Sequence, residues 1–536
     1  MEELLIQEAE PLKEKPNHWK KLLFALFAIA SAYLFLNLIP ISNAPLGLLL
    51  FGVCLFGATL VFALSIGARP GLDAYLVMLC GIVFSSYHFW NGSYHFLDAY
   101  APSGNFYPCF LLTLVAYAYF LYTLFKNRKA KYLGASMLLE WAQAVVLYPF
   151  VSFPALFVTC FSGYKRGKKI WISILFVLIG IILALLLGIA AVAILSFDEH
   201  FASFFKNFRF DADRLMEIGF KLFAAIPLGA LMYGIYASSE AKKNPAVASE
   251  QTVELLSSKL KFLPAVIVAI PILALLVIYG VFFFFQWPYY MSAFSHVLPE
   301  AYNAAEYARK GFFELCTIAG INAVLVLVLN GFVKRKGTFS EIVRKVLVVL
   351  LSLATLALIA TALSKMVLYI ERFDLTLLRL WPTFLLIFLA VAFLAVILST
   401  FVQRVKVLPI LLTLGLLFAL AYPFCNVNRL VAKYNVNSYL RSAQSGAVKE
   451  IDLFYLESLG EPAVPELVRL YEDERTGPSV KANTLHRLER MGLSIWYNQH
   501  NYNTSDDYDG TRNWYSFSVH TAKARRLLSP FLASKD

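Results

Sequence analysis

Runs of about eighteen or more predominantly apolar residues recur from Leu22 to Cys425, and each can cross about 30 Å of hydrocarbon as a helix. Lipid offers no water to backbone N–H and C=O groups, so such runs fold as helices that bond internally. The composition agrees. Of 536 residues, 59% are hydrophobic and 15% charged, against about 45–50% and about 25% in an average soluble domain. The expected fold is all-α: a polytopic transmembrane helix bundle of about eleven spans, followed by a small C-terminal extracytoplasmic helical domain.

The formal net charge of +12 does not mark a nucleic-acid partner. Basic residues gather in short segments between apolar runs, as in Lys126-Asn127-Arg128-Lys129-Ala130-Lys131 and Lys165-Arg166-Gly167-Lys168-Lys169. That is the positive-inside pattern of a threaded chain, not a basic binding face. The lipid bilayer is the expected partner, and no nucleic acid is. Cys54, Cys80, Cys109, Cys160, Cys316 and Cys425 all lie in or beside apolar runs without CxxC spacing. Neither a disulfide framework nor a metal site is read from them.

Residues 1–20 form a polar N-terminal tail whose lysines place it in the cytoplasm. Leu22 to Leu38 is longer than a signal-peptide core and is expected to remain as the first anchor. The transmembrane domain covers 21–425, with spans near 21–39, 46–66, 71–90, 108–125, 170–196, 215–237, 262–285, 312–333, 346–370, 377–402 and 407–425. Asp73 opens the third as a helix-start carboxylate. Between the two basic clusters, 133–163 must cross an even number of times, yet two crossings need about 40 residues. It is read as an interfacial or re-entrant segment broken at Pro149 and Pro154. There Glu140-Trp141 serves as an interfacial anchor or touches a substrate.

Pro299 suits a first helical turn, and from there Glu306, Lys310 and Glu314 recur every four residues on one helix face, with Arg309 in i,i+3 reach of Glu306. Threading brings them to the same end as Lys365 and Tyr369, which close span nine, and Arg379, which opens span ten. Ionisable groups at membrane depth are costly and face a partner or water. One reading is an outward-facing polar vestibule in which Glu306, Arg309, Glu314, Lys365, Tyr369 and Arg379 form a ligand site. Its two arginines would hold an anionic small molecule or lipid headgroup. The other reading is a set of structural ion pairs knitting spans eight to ten together, cheap where long side chains snorkel. A secondary polar pair, Glu217 and Lys221, is either a snorkelling i,i+4 pair or part of a polar cavity.

Tyr307-Ala308-Arg309 with Gly311-Phe312-Phe313, and Tyr369 followed by Leu375-Thr376 and Arg379, resemble the signature of a bacterial polytopic membrane family known as a domain of unknown function, the DUF4173 type. The resemblance runs from Phe262 to the C-terminus, and the N-terminal half matches only in hydropathy. It departs at Asp374, where the pattern has glycine before Leu-Thr. It implies a bacterial inner-membrane protein and brings no activity with it.

From Asn426 the chain is too polar to span, and 426–536 is read as an extracytoplasmic domain of short paired helices with a basic last helix from Thr521. His486, His500 and His520 are too scattered for a metal motif, and Asp506, Asp507 and Asp509 lack the glycine and closing glutamate of a calcium loop. No P-loop, HExxH, GxSxG or Rossmann fingerprint occurs, so no cofactor, metal or catalytic residue is assigned. Two readings lead. One is a transporter-like or lipid- or small-molecule-handling protein using the vestibule. The other is a regulatory, sensor or scaffold protein whose exported C-terminal domain meets a protein partner. An enzyme using unrecognised carboxylates is the third.

Overall fold

A computed structural model describes residues 18–38, 45–91, 106–130, 133–161, 212–242, 259–294, 304–334, 337–402, 404–445, 449–500 and 518–532. The predicted fifth span and the helix start at Pro299 lie outside these residues. Among the described residues nine helices are long and apolar enough to cross a membrane. They coincide with the predicted spans one to three and six to eleven, while Leu111–Leu124 in the fourth is a shorter apolar helix. The chain divides into two compact units.

The first unit is built on α1 (His18–Leu38), α2 (Pro45–Ser65) and α3 (Leu72–Ser85). Asp73 stands in the first turn of α3, as expected, with Arg128 at 3.7 Å. After α4 (Tyr87–Asn91), which belongs to the second unit, most of α5 (Phe106–Leu124) returns to the first. The segment read as re-entrant is broken in two places. A π turn, Gln143–Leu147, separates α6 (Ala135–Ala142) from α7 (Tyr148–Val151), and residues 152–154 turn the chain into α8 (Ala155–Phe161). Pro149 has no N–H to give a regular helix, and the widened turn absorbs that loss.

In α9 (Ala212–Glu240), Glu240 pairs at 2.7 Å with Lys21 at the start of α1. At the other end, Lys221 bonds Glu217 and reaches Asn37 at 3.1 Å. The two helices are therefore antiparallel, as the threading of spans one and six requires. They also pack closely, for a Cβ added at Gly229 would stand 2.8 Å from the Ile29 backbone. Small residues permit such approach between helices in lipid.

The second unit holds α10 (Ala265–Phe294), α11 (Ala304–Gly331), α12 (Thr338–Phe373), α13 (Leu377–Phe401) and α14 (Val407–Ala421). Its surface is apolar and its interior partly polar, the reverse of a soluble protein. Leu327 and Phe284 are 68% and 77% exposed, whereas Asn322 and Thr355 are fully buried. Inside, the Tyr279 hydroxyl donates to Asn322 Oδ1 at 2.8 Å, and Asn322 Nδ2 donates to Thr355 Oγ1 at 2.9 Å. That chain of bonds ties α10, α11 and α12 together without exposing a polar group to lipid.

The C-terminal helices are α15 (Val427–Gln444), α16 (Leu453–Ser458), α17 (Val464–Glu472), α18 (Pro478–His500) and α19 (Val519–Leu532). Asn426 and Asp452 cap α15 and α16 by accepting the backbone N–H groups of Arg429 and Tyr455, both at 2.9 Å. Val431, Val436, Leu456, Leu467, Leu488 and Leu528 meet in a core of their own. Leu375, Leu377 and Leu380, from the α12–α13 connection and the first turn of α13, pack against it.

Candidate functional site

Of the residues flagged in the sequence, Glu314, Lys365, Tyr369 and Arg379 lie at one end of the α11–α12–α13 array. At the opposite end, Arg344 in the first turns of α12 bonds Glu341 and also Asn330 near the end of α11. This pins α11 and α12 antiparallel, so Glu314 and Lys365 fall together at the far end. Lys365 is only 7% exposed, and the exposed Glu314 carboxylate lies within its electrostatic reach. One turn on, the Tyr369 ring lies under the Arg379 guanidinium, 4.1 Å from carbon to centroid, a cation–π contact.

Arg379 is also committed elsewhere. Its Nη1 donates to the carbonyls of Phe373 and Asp374, two of the groups that a helix C-terminus leaves without intrahelical donors. Tyr369 and Arg379 are thus in contact, and Glu314 and Lys365 are within charge range. Glu306 and Arg309 lie on the first turns of α11, and their side chains fall outside the described residues. The separate pair Glu217–Lys221 is bonded as i,i+4 spacing predicts, with the Glu217 side chain 58% exposed.

The turn between α12 and α13 carries the departure noted in the sequence. Asp374 has φ 64° and ψ 169°, a conformation natural to glycine that costs other residues about 1–3 kcal/mol. This is the physical basis of the glycine expected there. Asp374 forms an ion pair at 2.7 Å with Lys449, and Lys449 also donates to the Glu371 carbonyl at 3.1 Å and to Ser438 Oγ at 2.7 Å.

Two further C-terminal side chains grip the same turn. Asn435 accepts the Leu375 N–H at 2.8 Å and donates to the Leu375 carbonyl at 2.9 Å, and the Tyr455 hydroxyl accepts the Leu377 N–H at 2.8 Å. Burial pushes the Tyr455 phenol up, while the Leu377 N–H and the Arg379 charge pull it back. Sequence reasoning missed Asn435, Lys449 and Tyr455. One signal was present: Asn435 interrupts an apolar stripe of Val431, Ala432, Val436 and Tyr439, and all five are buried. A buried amide on such a stripe needs hydrogen-bond partners.

Glu140 is fully buried, accepting the Tyr119 hydroxyl at 3.0 Å, with Trp141 edge-on to the Tyr119 ring. An interfacial anchor keeps its polar tip in water, so that reading does not describe Glu140.

Spanning-length helices with an apolar exterior and polar contacts inside define a polytopic α-helical membrane protein. The chain belongs to the family described as Domain of unknown function (DUF4153), whose model matches residues 78–470. The DUF4173 type expected from the signature is not the one matched. The match also begins well before Phe262, so much of the N-terminal half is family sequence. A short motif at a helix end reflects capping chemistry common to many turns, which discriminates poorly between families. No curated protein and no solved structure matches the chain.

Proposed function

We propose that this protein handles an anionic small molecule or lipid headgroup at a bacterial cytoplasmic membrane, in the manner of a transporter. Its mouth is the shared end of α11, α12 and α13. The N-terminus lies in the cytoplasm, and the mouth and the domain 426–536 face the exterior, as the basic loops prescribe. The observation that carries the reading is Lys365, a cation 7% exposed within a spanning helix. An intramembrane charge is expensive to keep and by default marks a substrate or ion path. Glu314 supplies a counter-charge that an arriving anion would displace, and Glu306 and Arg309, on the first turns of α11, are assigned to the same site from their sequence spacing.

The test is a lipid and metabolite profile of a deletion strain, complemented with wild type, Lys365→Met or Arg309→Ala. The wild type restores the profile, and the two variants, inserted normally, do not. Full complementation by both variants would end this reading.

A second reading, regulation or scaffolding of a protein partner through the C-terminal domain, is favoured by the grip of Asn435, Lys449 and Tyr455 on the α12–α13 turn. A regulator of this kind keeps its function in Lys365→Met and loses it when the chain is cut after residue 425.

A further inference from the structure

The contact between Arg379 and the end of α12 depends on the conformation of the turn at 374–376. Arg379 donates to the carbonyls on either side of the Phe373–Asp374 step. Asp374 holds φ 64° there, which a non-glycine residue keeps only where its surroundings impose it. Were Asp374 to relax to negative φ, its carbonyl would swing away from the guanidinium.

The groups that hold the turn are C-terminal. Asn435 takes both backbone groups of Leu375, Tyr455 takes the Leu377 N–H, and Lys449 neutralises the Asp374 carboxylate. Leu375, Leu377 and Leu380 are buried against the C-terminal core, so polar and apolar contacts act at the same place. Tyr455 also lies within electrostatic reach of Arg379 itself.

We infer that the C-terminal domain is a latch on the mouth: docked, it holds the 374–377 turn that keeps Arg379 on the α12 carbonyls, and undocked, it releases Arg379. The inference rests on the reading of this end as an anion-handling mouth, whose arginine the latch would withhold or supply. Docking closes the site by occupying its cation with backbone, and the Tyr369 ring keeps the guanidinium one turn along α12 from Lys365 for use on release. Lys449, Asn435 and Tyr455 sit on separate elements (the stretch before α16, α15 and α16), so small shifts of these helices against α13 weaken all three grips together.

The experiment is chemical modification of Arg379 by phenylglyoxal in the full-length protein, in phosphatidylcholine vesicles and a buffer without inorganic phosphate, followed by peptide mass spectrometry. Arg379 reacts slowly in the wild type. In the Asn435→Ala/Lys449→Ala double variant, modification accelerates by about tenfold or more, since at least two backbone bonds and an ion pair are lost. Tyr455→Phe keeps the ring, removes the one hydroxyl acceptor and gives a smaller acceleration in a fully folded protein. Hydrogen exchange in α11 and α12 stays at wild-type rates in both variants.

Equal reactivity of Arg379 in wild type and Tyr455→Phe, with the Leu377 amide newly exchanging, overturns the latch. Acceleration that inorganic phosphate then suppresses supports both the latch and the anion-handling mouth. Acceleration that phosphate leaves untouched supports the latch and overturns the mouth reading on which its purpose rests.

Discussion

The side-chain amide of Asn435 meets the backbone of Leu375 at two points, accepting its N–H at 2.8 Å and donating to its carbonyl at 2.9 Å. A side chain here does what a neighbouring strand does in a sheet, satisfying both polar groups of a residue that sits between two spanning helices. Because Asn435 is 3% exposed, water cannot readily take its place.

Asn435→Ala leaves both Leu375 groups without this partner. The expected loss is about 2–4 kcal/mol, the combined cost of two unmade bonds in a poorly hydrated site. Thermal unfolding in detergent and exchange at the Leu375 amide measure it. A melting temperature and exchange rate equal to wild type would mean that the amide does not hold the turn.

Asp374→Gly relieves the positive φ and removes the ion pair with Lys449, two effects of opposite sign. In the wild-type background they offset each other. In a Lys449→Ala background only the relief remains, so glycine is more favourable there by about 1 kcal/mol. A double-mutant cycle on unfolding midpoints reads that difference, and additivity of the two changes would refute the coupling.

Glu457 is 2% exposed and is held by Arg487 and by Arg490, whose Nε lies at 2.8 Å. Glu457→Ala removes both ion pairs at once and leaves the like charges of Arg487 and Arg490 side by side without the carboxylate between them, at about 2–3 kcal/mol. Arg490, with a half-exposed side chain, costs only about 1 kcal/mol as alanine, since Arg487 still holds the carboxylate. Similar losses for the two substitutions would contradict the burial.

Glu461 is pushed up from its ordinary 4.5 to about 7 by burial, against the pull of the Thr521 hydroxyl and the Arg525 charge. A carboxyl with a raised folded value binds protons on folding. Its contribution is therefore complete below the unfolded value of 4.5 and is lost as pH rises through about 7. The docking of α19 should weaken over that window, by up to about 3 kcal/mol. Glu461→Gln should flatten this part of the stability–pH curve, and an unchanged slope would exclude Glu461 as its source.

Gly229→Ala places a methyl group 2.8 Å from the Ile29 backbone. The α1–α9 pair must separate, at about 1–3 kcal/mol. Gly280→Ala, with nothing within 4 Å of the new atom, should be neutral or slightly stabilising. Unfolding of both variants in detergent distinguishes close packing from a general intolerance of alanine.

Nine of the predicted spans, the antiparallel order of α11 to α13 and the shared end of Glu314, Lys365, Tyr369 and Arg379 were legible from apolar run lengths and the parity of crossings. The break at Pro149 was legible too, because a missing N–H is a local fact. Illegible were the π turn that accommodates it, the burial of Glu140 beneath Tyr119, and the use of Arg379 as a cap.

By itself the sequence determined that this chain is a bundle of membrane helices, because long apolar runs in lipid leave the backbone no other way to bond. It also determined that Glu314, Lys365 and Arg379 share an end, since parity follows from counting. Only the tertiary structure decided what those charges do. The bonds that hold the 374–377 turn join residues 60 and 78 positions apart, and such a pairing is set by how the folded helices approach, not by any local pattern.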